Sequence, residues 1–561
     1  MIRLDDVSFA YEPGGRAVLD RVNLAIPEGD LALVIGPTGS GKSTLLGAVC
    51  GLVPRFSGGV LAGTVSVDGC DTAHTQPRDL ASVVGYLPQR VDDSFVTDVV
   101  EDELAWTMEQ LGVAPDAMRR RVEDTLDLLS LAELRQRPIA TLSSGQRQRV
   151  ALGAVLTAQP QVLVLDEPTS ALDPQAAEDV LAALTRLVGD LGLTIVCSEH
   201  RLERVVQYAD SVVVVDGTGR VTHGPPDDQL PQAPVAPPVI ELGRRMGWRP
   251  LPRSVRDARR AAADLRATLP ATAPPRPKHR AAGSLSAPGG GATEAASVEA
   301  PDAARADEFA AASAEGVWVS YDDHPAVRDL SLTLRRGEVV ALMGRNGAGK
   351  STLISALGGA LAPDRGRVRL GGLNPRSLRG PEFLRRVGVV PSDPTLLLSA
   401  TTVAQECADA DRETGTPPGA TAQALDRLLP GVDPSAHPRD LSSGQRLGLA
   451  LALVLAHQPA LVLLDEPTTG LDYQAKRVLA GWLADLAGHG ASVLLASHDV
   501  ELVAEVAHRA VVLADGEVVA DGPAGEVLCH SPTLAPQVAR ILHPLTYLTV
   551  GDVMAAKDPP R

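Results

Sequence analysis

The chain carries one set of short motifs twice, in the same order, and this duplication limits the folds open to it. The matching segments are GPTGSGKST (36–44) and GRNGAGKST (344–352), LSSGQR (142–147 and 441–446), VLVLDEPTSALD (162–173) and LVLLDEPTTGLD (461–472), and SEH (198–200) and SHD (497–499). A chain of 561 residues is also too long for one ordinary hydrophobic core. The repeat therefore predicts two similar domains in tandem.

The similarity between the halves continues past the motifs. APPVIEL (236–242) resembles APQVARIL (535–542), which predicts a small appended subdomain at the end of each half. Between the halves lies a stretch rich in Ala, Pro, Gly and Ser, typical of a flexible linker. The basic segment 244–266 before it fits a helix with a solvated face. The predicted boundaries are 1–226 for the first domain, 227–266 for its appendage, 267–312 for the linker, 313–530 for the second domain and 531–561 for its appendage.

Charge, cysteines and hydropathy exclude several classes of protein. The formal net charge of −17 argues against a nucleic-acid binder, which needs positive charge to displace counterions. Five scattered cysteines form no CxxC pair, so we expect a reduced, cytosolic chain without a zinc site. There is no signal-peptide pattern at the start and no run of about 18 apolar residues. A role at a membrane would therefore need a partner protein.

GPTGSGKST has the pattern of a phosphate-binding loop, and its surroundings favour that interpretation. LALVIG (31–36) is a strand-like run, and STLLGAVCGL (43–52) can begin a helix. The glycines let backbone N–H groups surround phosphates at the N-terminus of the helix. We expect Lys42 to reach the β- and γ-phosphates and Ser43 to bind Mg²⁺. The residues predicted to bind nucleotide in the two loops are Gly36, Pro37, Thr38, Gly39, Ser40, Gly41, Lys42, Ser43 and Thr44, and Gly344, Arg345, Asn346, Gly347, Ala348, Gly349, Lys350, Ser351 and Thr352.

VLVLDE and LVLLDE are predicted to be buried strands that end in two adjacent carboxylates. Asp166 and Asp465 suit a direct or water-mediated contact with Mg²⁺ at the strand end. Glu167 and Glu466 follow by one residue, so on a strand they would point the other way and could face the γ-phosphate. A carboxylate placed there can accept a proton from the attacking water. Together with the phosphate loops, these pairs predict a P-loop NTPase in each half.

The hexapeptide LSSGQR indicates which group of P-loop NTPases the chain resembles. It lies just before a helical stretch, RVALGAVLTA, so its amides form a second anion-binding helix end. The motif resembles LSGGQ, the signature of the ATP-binding cassette (ABC) superfamily, with Ser144 and Ser443 in place of the first glycine. The resemblance covers both halves nearly end to end. It implies an α/β fold of two tandem ABC-type P-loop ATPase domains, each with a mixed β-sheet core, a helical signature subdomain and a small C-terminal appendage, and it implies ATP and Mg²⁺ as ligands.

The family also explains why the signature is duplicated. In ABC proteins the phosphate loop of one cassette faces the signature of the other, so the resemblance implies that the two cassettes pair within one chain. The implied first site consists of Lys42, Ser43, Asp166, Glu167 and His200 with Ser442, Gly444 and Gln445 opposite. The implied second site consists of Lys350, Ser351, Asp465, Glu466 and His498 with Ser143, Gly145 and Gln146 opposite.

Two further pairs of residues match family positions. His200 and His498 follow apolar runs, as the γ-phosphate-sensing histidine of the family does. Tyr11 and Tyr321 precede their phosphate loops at similar distances and match the aromatic residue that stacks on adenine. Because the chain has only six tyrosines, this match favours stacking over two chance strand residues.

The stretch GYLPQRVDDSFVTDVVEDELAW (85–106) indicates one branch of the family. Gln89 matches the glutamine that links Mg²⁺ and water to the membrane partner. The residues after it, the SEHRLE stretch and the appendages resemble the ATPases of energy-coupling factor (ECF) importers. The resemblance implies integral-membrane partners, both transmembrane and substrate-capture subunits, and a position on the cytoplasmic face of the membrane. ECF importers take up vitamins, vitamin precursors, cobalt or nickel, and the chain shows no cargo-binding pattern of its own.

Two alternative functions belong to other classes of tandem-cassette protein. One is a tandem-cassette translation factor on the ribosome, which the acidic charge and the Ala/Pro/Gly-rich linker disfavour. The other is a DNA-repair cassette ATPase, but those with a similar organisation carry zinc-binding cysteines.

The two predicted sites differ at one position. Aligning VGYLPQ (84–89) with VGVVPS (387–392) pairs Gln89 with Ser392. Serine is too short to span the same gap, although a bridging water or Asp393 could compensate in part. The sequence therefore predicts that the two sites hydrolyse ATP unequally, unless the loop differs only because it contacts an asymmetric membrane partner.

Overall fold

The computed structural model describes residues 1–169, 172, 174–274, 310–321, 324–468 and 470–557. Most of the predicted linker therefore lies outside the described residues. Contacts divide the chain into two compact units, Met1–Ala261 with Gly470–Gln474, and Ala262–Thr469 with Ala475–Arg561. Each unit contains one predicted cassette core.

The first cassette is built from two sheets and the helices around them. Its strands are β1 (Ile2–Ala10), β2 (Leu19–Ile26), β3 (Leu31–Ile35), β4 (Val60–Val67), β5 (Cys70–Asp71), β6 (Val84–Leu87), β7 (Val162–Asp166), β8 (Thr194–Ser198), β9 (Ser211–Val215) and β10 (Val221–Gly224). The helices of this half are α1 (Lys42–Val49), α2 (Pro77–Leu80), α3 (Val100–Gln110), α4 (Pro115–Leu128), α5 (Ser144–Leu156), α6 (Pro174–Leu191), α7 (Leu202–Val205), α8 (Pro226–Gln229), α9 (Pro238–Met246), α10 (Val255–Ala261) and α11 (Ala263–Thr268).

The central sheet of the first cassette has the order β10-β9-β3-β8-β7-β6. Strands β3, β6, β7, β8 and β9 run parallel, and β10 pairs antiparallel with β9. An antiparallel sheet, β2-β1-β4-β5, covers one side. Helix α1 packs between the two sheets, since Leu46 shares a buried cluster with Val34, Val65 and Val164. The mixed sheet core is thus confirmed, with its parallel strands almost wholly apolar, as expected for strands buried on both faces.

The second cassette repeats this plan. Its strands are β11 (Ala310–Tyr321), β12 (His324–Arg335), β13 (Val339–Met343), β14 (Arg365–Leu370), β15 (Val387–Val390), β16 (Leu461–Asp465), β17 (Ser492–Ala496), β18 (Arg509–Ala514) and β19 (Glu517–Pro523). Its helices are α12 (Lys350–Leu357), α13 (Gly380–Leu384), α14 (Val403–Thr414), α15 (Ala420–Leu428), α16 (Ser443–Leu455), α17 (Tyr473–Gly488), α18 (Val500–Val506), α19 (Ala524–Cys529), α20 (Gln537–Leu542) and α21 (Val550–Lys557). The central sheet, β15-β16-β17-β13-β18-β19, has the same strand order as the first, and the antiparallel sheet is β12-β11-β14.

Each half has a helical subdomain inserted between two strands of its central sheet. It lies between β6 and β7 in the first half and between β15 and β16 in the second. In the second cassette, α14, α15 and α16 share a buried apolar cluster that includes Val403, Leu425 and Leu449. The signature hexapeptide lies at the start of α5 in the first half and of α16 in the second. The predicted helical signature subdomains are therefore present.

The predicted appendages contain short helices: α9 and α10 lie in the first compact unit, whereas α11 lies in the second unit together with α20 and α21. The beginning of the predicted linker range is paired rather than solvated. The backbone N–H of Thr546 donates to the carbonyl oxygen of Ala271 at 3.1 Å, and Thr272 forms a parallel bridge with Thr546. Among the helices of the described residues, none is long and apolar enough to cross a membrane.

Candidate nucleotide sites

The first phosphate loop joins the fully buried strand β3 to helix α1, which begins at Lys42. Gly36 lies so close to β9 that a Cβ atom there would be 2.1 Å from the carbonyl oxygen of Val215. Gly41 caps the helix with a φ of 106°, a conformation that side chains disfavour. Glycine is thus required at both ends of the loop. Backbone N–H groups at the start of α1 can then bind phosphates.

The loop lysine folds back over the loop in both cassettes. Nζ of Lys42 donates to the carbonyl oxygens of Gly36 at 2.9 Å and Pro37 at 3.0 Å. Nζ of Lys350 makes the same contacts with Gly344 at 2.9 Å and Arg345 at 3.2 Å. Lys42 is 6% exposed, and burial lowers the pKa of its ammonium group. A phosphate group would supply a stronger, charged acceptor than these carbonyls.

The aspartates at the ends of β7 and β16 lie beside the serines of the phosphate loops. Asp166 is buried at the end of β7 and accepts a hydrogen bond from Ser198 Oγ at 2.5 Å, with a second from the Ser43 side chain. Burial raises the pKa of Asp166, and these two bonds oppose the rise. Asp465 has the same partner in Ser351, and its Oδ1 atom is buried without a hydrogen-bond partner among the described residues.

These donor sets fit Mg²⁺. The ion prefers oxygen ligands and is usually held by one or two protein groups together with substrate phosphates and waters. A serine hydroxyl in contact with a carboxylate, next to a phosphate loop, meets that requirement in each cassette, and the unpartnered Oδ1 of Asp465 is an oxygen ready for a cation or its water. Ser43 with Asp166, and Ser351 with Asp465, would therefore hold the ion.

Glu167 and Glu466 do not continue the strands, as strand alternation alone would require. Strands β7 and β16 end at Asp166 and Asp465, and the two glutamates take left-handed φ values of 55° and 48°. Their N–H groups donate to the last residues of the neighbouring strands, Ser198 O at 3.1 Å and Ala496 O at 2.8 Å. This strand-end turn, rather than the pleat of a strand, orients the carboxylates.

Each glutamate contacts the histidine predicted to sense the γ-phosphate. In the first cassette, Nε2 of His200 lies 2.6 Å from Oε1 of Glu167, and the Gln89 side chain also hydrogen-bonds this carboxylate. Burial by itself would raise the pKa of Glu167, but the hydrogen bond and charge of His200, with the bond from Gln89, hold it below its ordinary value. The structure therefore brings together four of the predicted residues of the first site, including Lys42, whose charge acts in the same direction.

In the second cassette the contact uses the other ring nitrogen. Nδ1 of His498 lies 2.6 Å from Oε2 of Glu466, and Nζ of Lys350 lies 3.7 Å from Oε1. Burial opposes these partners, yet they hold the pKa of Glu466 below its ordinary value. The position of Gln89 is taken by the exposed Ser392, and Asp393 Oδ1 accepts from Thr395, through N–H at 2.9 Å and Oγ1 at 2.6 Å.

The two tyrosines differ in their contacts. Tyr11 is 49% exposed, its hydroxyl lies 2.8 Å from Oγ1 of Thr44 in the phosphate loop, and its ring packs edge-on against Phe9. Tyr321 is 53% exposed at the end of β11. Both rings thus have a free surface, and stacking on adenine stays a prediction.

The signature hexapeptide caps its own helix. Ser143 Oγ accepts from the N–H of Gln146 at 3.3 Å, and the Gln146 side chain accepts from the N–H of Ser143 at 3.0 Å, which forms a capping box. Ser442 and Gln445 form the same box at the start of α16. The helix therefore begins inside the motif rather than after it. The implied pairing of Ser143, Gly145, Ser442 and Gly444 with the phosphate loop of the other cassette stays a prediction.

Several residues that shape the sites were not predicted from the motifs. Ser198 binds Asp166, and its place at the end of an apolar run before the histidine is the signal that could have identified it. The buried Glu103 accepts from the N–H groups of Val96 at 3.0 Å and Thr97 at 2.8 Å, and Glu406 holds the corresponding loop of the second cassette. An acidic side chain on the buried face of a helix was the available signal there.

Comparison with known proteins agrees with this geometry. The ABC transporter family matches residues 19–170 and 327–469. A Streptomyces avermitilis protein named "Putative ABC transporter ATP-binding protein" is 54% identical over 99% of this chain and 100% of its own length. A Methanosarcina mazei protein of the same name is 33% identical over 97% of this chain and 92% of its own.

A solved structure titled as a model of ribosome-bound archaeal Pelota and ABCE1 matches 93% of this chain and 79% of its own, with a TM-score of 0.61 and 19% identity, which shows a common fold alone. With two matched regions, and relatives similar over almost the whole length, the chain belongs to the ABC transporter family and is a tandem-cassette ATPase.

Proposed function

We propose that this chain is the ATP-binding and ATP-hydrolysing subunit of an ABC-type membrane importer of the ECF class, which takes up vitamins, vitamin precursors, cobalt or nickel. ATP would close the two cassettes head to tail, and hydrolysis followed by product release would reopen them. The chain would work on the cytoplasmic face of the membrane through integral-membrane partners.

The observation that carries the proposal is an exposed apolar residue in the loop that follows Gln89, next to the catalytic groups. After Gln89, the chain runs through Val96, whose side chain is 58% exposed, into α3. Glu103 holds the N–H groups of this loop from below, so the apolar side chain stays directed outward. The second cassette has Leu396, 75% exposed, in the loop between β15 and α14. A single exposed apolar side chain is ordinary on a protein surface, so the support comes from its recurrence: the same loop of both cassettes carries one.

Gln89 connects that loop to the chemistry, because its side chain hydrogen-bonds Glu167. A partner that moved the loop would move a group bound to the catalytic carboxylate. This is the coupling expected of a transport ATPase, in which hydrolysis and the position of a membrane subunit depend on each other.

The roles of the chain's own groups follow from the geometry. Lys42 and the loop amides bind the phosphates, and Glu167, ionised by its contact with His200, accepts a proton from the attacking water. His200 can also donate to the γ-phosphate, since it lies at the same carboxylate. Bound Mg²⁺ would neutralise phosphate charge in the transition state.

The ECF class and its cargo are inferred from sequence. The residues after Gln89 and the appendages resemble ECF ATPases, and the relatives carry the name of transporter ATP-binding proteins. The alternative is the translation-factor role, which the tandem-cassette fold of the ribosome-bound neighbour makes worth testing.

The test is affinity purification of the full chain from detergent-solubilised membranes of its own host. Val96→Glu combined with Leu396→Glu should remove an integral-membrane partner from the preparation, because burying two added carboxylates in an apolar contact is costly. Leu191→Glu, at an apolar residue that ends α6 and is about as exposed as Leu396, is the matched control and should keep the partner. Co-purification of ribosomal RNA and ribosomal proteins, without a membrane partner, would instead support the translation factor.

A further inference from the structure

Thr169 lies two residues after the catalytic Glu167, and one carboxylate oxygen accepts hydrogen bonds from both its backbone and its side chain. Its N–H donates to Oε1 of Glu199 at 2.8 Å, and its hydroxyl donates to the same oxygen at 2.6 Å. Glu199 is 3% exposed, so these bonds form out of water, where they are strongest. They join the turn after β7 to the turn after β8.

The residue next to Glu199 completes a second link between the same two turns. His200 contacts Oε1 of Glu167 at 2.6 Å. Two consecutive residues of one turn thus hold two residues, Glu167 and Thr169, of the other. With its left-handed φ, Glu167 sits between a fixed strand end and a fixed Thr169, which limits the directions its carboxylate can take.

The second cassette provides a comparison within the same chain. Strand register aligns Ser198 with Ala496, because these residues pair with Asp166 and Asp465, and so it aligns Glu199 with Ser497. Ser497 Oγ accepts from the N–H of Asp499 at 3.1 Å. Thr468, the equivalent of Thr169, is buried, and its hydroxyl has no hydrogen-bond partner among the described residues.

We propose that Glu199 is a positioning residue for ATP hydrolysis in the first cassette: by holding Thr169 it fixes the turn that carries Glu167, a restraint with no equivalent among the described residues of the second cassette. The inference rests on the ATPase activity of the family and is independent of the transported cargo and of the membrane partner. It also rests on contacts other than those of Gln89 and Ser392, namely the bonds between Glu199 and Thr169.

The consequence is kinetic. A catalytic group that is free to move by a fraction of an ångström loses rate without losing substrate affinity, because the phosphates are held by the loop and not by this turn. Glu199 touches neither the loop lysine nor the nucleotide-facing amides in any contact of the described residues. Loss of its bonds should therefore appear in kcat.

The experiment compares Thr169→Val with Thr468→Val in the full chain, measuring kcat and KM for ATP. Valine has the shape of threonine but lacks the hydroxyl donor. Thr169→Val should lower kcat about tenfold and change KM less than about twofold. Thr468→Val should leave both unchanged, since the Thr468 hydroxyl bonds to none of the residues that the structure describes.

Rescue by conservative variants separates positioning from folding. Glu199→Gln keeps an oxygen that can accept both bonds and should retain most of kcat, whereas Glu199→Ser, which copies the second cassette and removes both bonds, should lose at least as much as Thr169→Val. The melting temperature of each variant is recorded beside its kinetics. Equal effects of the two threonine substitutions on kcat, a loss confined to KM, or an unchanged kcat in Thr169→Val would each overturn the proposal.

Discussion

Nε2 of His200 lies 2.6 Å from Oε1 of Glu167, so the group expected to take a proton from water is already bound to a group that can carry positive charge. Burial of Glu167 opposes ionisation, but this contact, with help from Gln89 and Lys42, holds the pKa of the carboxyl below its ordinary value. This carboxyl therefore ionises more readily than its burial alone would allow.

This contact predicts how Glu167→Gln changes stability with pH. Because the folded pKa is lower than the unfolded pKa, ionised Glu167 contributes stability that is fully present above the unfolded value near 4.5 and is lost as the pH falls through the folded value. We expect Glu167→Gln to cost about 1 kcal/mol near pH 7 and progressively less below about pH 4.5. Denaturant unfolding of ATP-free protein at several pH values measures the difference.

The exposed Glu109 at the end of α3 gives a control for this measurement. Glu109→Gln should change the free energy of unfolding little at any pH. A cost of Glu167→Gln that stays constant from neutral to acidic pH would show that the contact does not stabilise the ionised carboxylate.

The two sites are expected to hydrolyse ATP at different rates. Gln89 binds Glu167, whereas Ser392 takes its place in the second cassette and Asp393 already accepts from Thr395. Poor positioning of the attacking water can cost orders of magnitude in rate. In the chain assembled with its proposed membrane partners, Glu167→Gln should therefore lower ATP turnover more than Glu466→Gln does.

Exchanging the loop residues tests the cause of this asymmetry. Gln89→Ser should lower turnover, and Ser392→Gln should raise the share contributed by the second site. Near-normal turnover in Glu167→Gln together with its abolition in Glu466→Gln would mean that the asymmetry runs the other way and that Ser392 does not mark the weaker site.

Local motifs predicted the fold well because each one encodes its own surroundings. The phosphate loop needs a strand before it and a helix after it, and both are present around Gly36 and Lys42. The repeat then predicted the second cassette with the same strand order. The prediction for Gln89 was local in the same way, because it rested on the position of this residue just after the strand β6.

Relations between strands could not be predicted in this way. The turn that directs Glu167 depends on a bond to Ser198, which belongs to a strand adjacent in space but distant in the chain. The bond between Glu199 and Thr169 depends on the same adjacency. The capping box of Ser143 and Gln146, by contrast, is a local pattern that could have been recognised within LSSGQR.

Tyr11 and Tyr321 should contribute to nucleotide affinity by stacking on the purine. Each ring is about half exposed, so a base can reach it. Stacking of this kind is worth about 1–3 kcal/mol per base. Tyr11→Ala with Tyr321→Ala should weaken ATP binding by that order in calorimetry, while the melting temperature without ligand changes little.

Tyr11→Phe separates stacking from the hydrogen bond to Thr44. It keeps the ring and should bind ATP nearly as the unchanged chain does. If the alanine variants bind ATP with unaltered affinity, both tyrosines are ordinary strand-end residues.

A buried carboxylate outside the nucleotide sites organises the helical subdomain of the second cassette. Asp411 accepts from Thr421 N–H at 2.9 Å, Thr421 Oγ1 at 2.6 Å, Gly419 N–H at 2.6 Å and Thr416 Oγ1 at 3.1 Å. Burial would raise the pKa of Asp411, but these bonds hold it below its ordinary value.

Asp411→Ala should therefore destabilise the chain by about 1–3 kcal/mol, since four donors lose a charged acceptor. The part of this loss that depends on ionisation of Asp411 should be fully present above the unfolded pKa and disappear as the pH falls through the folded pKa. Asp409→Ala, which removes only a surface ion pair with Arg412, should cost less than about 1 kcal/mol. Equal unfolding curves for the two variants would contradict the assigned role.

ATP should close the two cassettes within a single chain, without a second copy. Each cassette contains a complete phosphate loop, a carboxylate pair and a capped signature helix, so one polypeptide holds both halves of both implied sites. Covalent linkage raises the effective concentration of the partner cassette far above that of another chain.

The hydrolysis-deficient Glu167→Gln, Glu466→Gln double variant with Mg-ATP should therefore be a compact monomer in analytical ultracentrifugation, more compact than without nucleotide. The same variant with Lys42→Ala and Lys350→Ala added should stay in the nucleotide-free form, because the loops can no longer hold the phosphates. A dimer of chains formed only with Mg-ATP would show instead that each signature serves a neighbouring molecule, and the linker would then join cassettes of two different sites.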